Sequence, residues 1–87
     1  MKINPNAIVR ELDGDFVVLT AETGYIHHLN ETASEILEMI EGCMNQDEIV
    51  DFIYHEVGSH PNLIYESVEN CIKELTQKRI IIYDETP

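Results

Sequence analysis

Basic residues are scarce in this chain, with 5 Lys and Arg against 17 Asp and Glu and a formal net charge of −12. Nucleic-acid affinity rests on cationic side chains displacing counterions from phosphates, so the scarcity argues against a DNA- or RNA-binding surface. It favours a cationic partner, such as a basic peptide or the basic face of an enzyme, or else serves solubility alone. Long apolar runs are also missing. Met1-Lys2-Ile3-Asn4-Pro5 does not begin a signal peptide, and no later stretch has the length to span a bilayer, so a cytosolic protein without membrane contact is expected.

Cysteine is limited to Cys43 and Cys71, which form no CxxC pair and read as small apolar side chains rather than as a metal or redox motif. The histidines give no ligand pattern either. His27 and His28 are adjacent and point to opposite faces of a strand, while His55 and His60 fall around a helix end and a loop. No nucleophile elbow, P-loop or HExxH is present. The expectation is a protein that is not an enzyme, with no catalytic residues, no metal and no cofactor. Its 87 residues suffice for one domain, spanning 1–87, and the 44% hydrophobic content is enough for that domain to fold.

The first third reads as a three-stranded antiparallel meander. Ala7 to Leu12 and Phe16 to Thr20 flank the turn signal Asp13-Gly14-Asp15, and Glu22-Thr23-Gly24 precedes a third strand, Tyr25 to Leu29. From Asn30 the hydrophobic period lengthens. Ala33, Ile36, Leu37 and Ile40 share one stripe of a helix that Asn30 or Thr32 caps, Thr32 with Glu35 fitting a capping box, and that Gly42 ends in a left-handed conformation. A second helix follows the Asn45/Glu48 box with Ile49, Phe52, Ile53 and Val57 on its apolar face, and Gly58-Ser59-His60-Pro61 breaks it. A third begins near Asn62 or Leu63, with Ile64, Val68, Cys71, Ile72 and Leu75 as its stripe and Lys73, Lys78 and Arg79 near its C-terminal end. Ile80 to Tyr83 reads as a short closing strand. The fold class expected is α+β, a winged helix-turn-helix of three strands, three helices and a C-terminal strand.

Thr23-Gly24-Tyr25-Ile26-His27-His28-Leu29-Asn30-Glu31-Thr32-Ala33, with Ile36 and Gly42, and later Val68, Ile72, Leu75, Lys78 and Ile80-Ile81, resemble the PqqD family over nearly the whole chain. Arg79 departs from the family, which has glycine there. A left-handed arginine costs roughly 1 kcal/mol, so a relaxed geometry is expected at that turn. The resemblance implies a RiPP recognition element that binds the leader segment of a ribosomally made precursor peptide. The leader would add as a strand beside the third strand and pack on the third helix. A modifying enzyme is the implied second partner, either a radical-SAM enzyme or a lasso-type peptidase and cyclase. Ending at residue 87, the chain is expected to be free-standing.

Strand addition needs a sheet edge with unpaired N–H and C=O groups and side chains that read the incoming residues. The expected peptide-binding residues are Tyr25, Ile26, His27, His28 and Leu29 on the strand, and Val68, Cys71, Ile72 and Leu75 on the third helix, Leu75 being the one assigned to the core. By the two-residue period, Tyr25, His27 and Leu29 share a face, which is expected to be the one toward the helices because Leu29 leads into the core-facing helix. Two other functions fit the pattern less well: a winged-helix DNA-binding regulator, which the charge opposes, and a structural subunit that never touches the peptide.

Overall fold

The computed structural model describes residues 1–58 and 60–83. In chain order the elements are β1 (Lys2–Ile3), β2 (Ala7–Leu12), β3 (Asp15–Thr20), β4 (Tyr25–His28), α1 (Glu31–Glu41), α2 (Gln46–Val57), α3 (Pro61–Gln77) and β5 (Ile81–Ile82). Asp13 and Gly14 both take positive φ, 54° and 89°, the turn whose twist matches the strands it joins. It sets β2 antiparallel to β3 with Val9 opposite Val18, and β4 then returns on the other side of β3 with His27 opposite Val18. The sheet order is β2-β3-β4, which leaves β4 at an edge.

Below the sheet, Val18, Leu29, Ile36, Leu37, Ile40, Ile49, Val68, Ile72, Leu75, Ile80 and Ile81 form one buried cluster. It joins the inner face of the meander to all three helices. Ser34, buried in α1, links helix to sheet: its Oγ accepts from the Phe16 N–H at 3.0 Å and donates to the Leu29 carbonyl at 3.4 Å. Burying that hydroxyl therefore leaves no polar atom without a partner, which a core this small could not tolerate. The expected α+β architecture of meander, three helices and closing strand is the one observed.

Several local expectations are corrected. Asn30 alone caps α1, its side chain accepting from the Ala33 N–H at 2.8 Å, and Thr32 lies inside the helix rather than in a capping box. Gly42 has φ −75°, and the left-handed position falls one residue later, on Cys43 at 68°. There the Cys43 and Met44 N–H groups bond back to the Ile40 and Met39 carbonyls, the paired pattern that closes a helix. The Asn45/Glu48 box of α2 forms as expected, but Phe52 and Val57 are exposed at 45% and 63%, so only Ile49 of its stripe is buried. Pro61 opens α3 instead of breaking the chain before it, because the first helical position needs no N–H donor. Ser59 of the expected breaker lies outside the described residues.

Arg79 does not relax. Its φ is 63°, and the Arg79 and Ile80 N–H groups bond to the Thr76 and Leu75 carbonyls, so the glycine-type turn is kept with an arginine in it. The compensation comes from the N-terminal arm, whose structure the sequence did not suggest. β1 pairs antiparallel with β5. Beyond it, buried Asn4 donates from Nδ2 to the Arg79 carbonyl at 2.9 Å and from its backbone N–H to the Ile80 carbonyl at 2.9 Å. Arg79 also reaches Glu22 at 3.6 Å, and Glu22 Oε1 accepts from Asn4 and Asn6. These contacts tie the arm, the turn before β4 and the end of α3 together.

Candidate peptide-binding edge

Strand β4 pairs with β3 on one side only. Which of its backbone groups are free follows from one hydrogen bond, Leu29 N–H to the Phe16 carbonyl at 2.9 Å. Antiparallel pairs alternate, so Leu29, His27 and Tyr25 turn their backbone groups toward β3, and Ile26 and His28 turn theirs to the open edge. The other ladder agrees. Ala21 donates to the Asn6 carbonyl, which makes residues 17 and 19 of β3 face β2 and residues 16, 18 and 20 face β4. No partner for the outward groups of Ile26 and His28 is found among the described residues.

The side chains of β4 divide as the strand period requires. Leu29 is 5% exposed and part of the core, and His27 is half-buried, its Nε2 3.4 Å from the Thr20 hydroxyl. Tyr25 shares that inner face but lies beyond the helices, 67% exposed and edge-on to the His27 ring. Ile26 and His28 point to the outer face.

Between the end of β4 and α3 lies a cleft of about 80 Å³ lined by His28, Leu29, Asn30, Ala33, Cys71, Glu74, Leu75 and Lys78. Its helix wall is the stripe Cys71, Glu74, Lys78, one position round from the core stripe Val68, Ile72, Leu75. Val68 and Ile72 are each 1% exposed and lie beneath this surface, Val68 reaching instead a separate apolar groove of about 360 Å³ with Ile64, Leu63 and Val57. Of the expected helix residues, the cleft therefore brings together Cys71 and Leu75 with the strand end and leaves Val68 and Ile72 apart. Asn30, Ala33, Glu74 and Lys78 were missed. The signal for the last two was present in their i,i+4 spacing, which gives a 2.8 Å ion pair across the cleft wall.

Two titratable groups of this wall are shifted by their surroundings. Burial, then the neighbouring Glu74 charge, pushes the Cys71 thiol above its ordinary value, so it stays protonated and apolar at neutral pH. The hydrogen bond and charge of Lys78 hold Glu74 below the usual carboxylate value, so its carboxylate stays ionised at neutral pH.

Comparison with known proteins supplies the decisive observation: the family model described as coenzyme PQQ synthesis protein D (PqqD) matches residues 15–81. The chain belongs to the PqqD family. The match begins at β3 and ends in β5, so it takes in β4, the three helices and the Arg79 turn, and leaves out β1 and β2. Among solved structures, TbiB1 in complex with the TbiA(beta) leader peptide shares the fold at a TM-score of 0.87 and 23% identity, covering 100% of this chain and 99% of that one. The fold shared with that structure extends over the whole chain, including the N-terminal arm. No curated protein matched the sequence.

Proposed function

We propose that this PqqD-family chain binds the leader segment of a ribosomally synthesised precursor peptide by strand addition at β4 and presents it to a modifying enzyme. The observation that carries this is the open edge at Ile26 and His28, set beside the Cys71–Glu74–Lys78 wall of α3. Backbone pairing supplies affinity without sequence preference, and pockets beside the edge supply selectivity. The family membership supports it, as does the fold shared with a protein solved with a leader peptide bound. The role is binding, not catalysis, and it is exercised in the cytoplasm, where ribosomal precursors are made. The enzyme served is a radical-SAM enzyme or a lasso-type peptidase and cyclase.

DNA binding is disfavoured by the structure of α3 as well as by net charge. Lys73 within the helix is already paired with Glu69 at 3.4 Å, and Lys78 at its C-cap with Glu74 at 2.8 Å. Little cationic charge is left there to release counterions from a duplex.

The test is fluorescence anisotropy with the labelled leader of the precursor encoded beside this gene, in chelator and without any enzyme. Saturable binding is expected. Binding only after enzyme is added would make the chain a structural subunit and overturn the proposal.

A further inference from the structure

Ile8, Leu19 and Ile26 stand directly opposite one another across β2, β3 and β4. They lie on the sheet face turned away from the helices, because the adjacent row Val9, Val18 and His27 contains the fully buried Val18. The row is apolar from end to end, with exposures of 45%, 36% and 67%. Ile26, on the β4 edge, is the most exposed of the three. The flanking rows on this face are different. Arg10, Val17 and His28 form one, polar at both ends, and Asn6 with Ala21 begins the other.

We infer that Ile26 selects the peptide residue that pairs with it: an antiparallel strand added to β4 carries an apolar β-branched or aromatic side chain at the single position opposite Ile26. The inference rests on strand addition at β4. Both backbone groups of Ile26 face the edge, so the residue opposite is fixed by two hydrogen bonds and its side chain falls on the outer face beside Ile26. Cross-strand neighbours lie close enough for an apolar side chain there to cover the open flank of Ile26 and lengthen the row by one. Apolar preference is confined to that position, because residues two places along the peptide meet His28 or the turn side of the sheet. Its neighbours in the peptide point inward, toward Tyr25, His27 and the cleft. The peptide is therefore read from both faces of the sheet.

The experiment is selection from a display library of random linear peptides on the whole chain, on Ile26→Lys, on Ile8→Lys and on Ile26→Pro. Ile26 and Ile8 are both exposed, so the lysine variants should fold, and circular dichroism checks this. The native chain should enrich peptides with one apolar position, Ile26→Lys should turn that position to Asp or Glu, Ile8→Lys should leave it apolar, and Ile26→Pro should enrich nothing. For a selected peptide, Ile26→Ala should weaken binding roughly two- to fivefold, the size of one cross-strand pair. If the native chain enriches peptides that Ile26→Lys does not alter, or that Ile8→Lys alters equally, the selection by Ile26 is wrong while strand addition stands. If no peptide is enriched, or Ile26→Pro enriches as well as the native chain, strand addition itself is wrong and the inference falls with it.

Discussion

The meander has two edges, and they are protected unequally. On β2, the outward groups are those of Ala7, Val9 and Glu11, and two are already used: the Ala7 N–H donates to the Asn4 carbonyl at 2.9 Å, and the Val9 carbonyl accepts from the Arg10 guanidinium at 3.1 Å. Charged Arg10 and Glu11 complete the protection. On β4, the Ile26 and His28 groups have no such partners among the described residues, and α3 stands beside the strand end to form a cleft. An edge that is short, uncapped and backed by a helix wall is suited to receive a peptide; one that is capped and charged is suited to refuse another strand.

The open and the paired side of a strand should differ most at neighbouring residues of β4. His27→Pro removes an N–H that faces β3 and is expected to destabilise the fold by about 1–3 kcal/mol. Ile26→Pro removes one that faces solvent, so Tm should stay within a few degrees while leader affinity falls by about tenfold or more. Thermal melts paired with anisotropy titrations of both variants decide it. The reverse pattern would mean that the phase of the edge is wrong.

Filling the cleft should act next in size. Cys71→Phe places a large ring on the helix wall and is expected to weaken leader binding by about tenfold with a small change in Tm, since Cys71 is only half-buried. An unchanged affinity by titration calorimetry would show that the peptide does not use α3. Arg10→Ala tests the other edge. It uncaps the Val9 carbonyl and should increase self-association in sedimentation velocity at high concentration, while leader affinity at β4 is unaltered.

The smallest effect concerns the turn that leads into β4. Hydrogen bonds from Asn6 and Asn4, with the Arg79 charge, hold the Glu22 carboxyl below its ordinary value of 4.5. A depressed folded value means that its contribution to stability is complete above that ordinary value and is lost as pH falls through the folded one. Glu22→Gln should therefore lower Tm slightly at neutral pH, and the difference from the native chain should shrink as pH falls below 4.5 and vanish once the pH is below the folded value. A difference that grows in acid would contradict the sign.

Much of the fold was legible because it is local. Asp13-Gly14 names its own turn type, Asn45 and Glu48 cap one another within a single helical turn, and the period of Ile36, Leu37 and Ile40 needs no knowledge of the rest of the chain. The strand face was legible too, since Leu29 is buried and Ile26 exposed as alternation requires. The helix wall was less so. Val68, Cys71, Ile72 and Leu75 lie on one broad stripe, and only the packing of α3 on α2 and β5 separates the buried Val68 and Ile72 from the half-buried Cys71.

By itself, then, the sequence determined the order and type of the elements from the meander onward, the core positions outside α2 and the family, because caps, turns and periodicity act between residues a few positions apart. Tertiary structure alone decided which β4 groups stay free, since the phase depends on the Leu29–Phe16 bond between two strands. It also decided that a left-handed Arg79 persists. Asn4 holds the Arg79 carbonyl from 75 residues away, a distance over which no local pattern carries information.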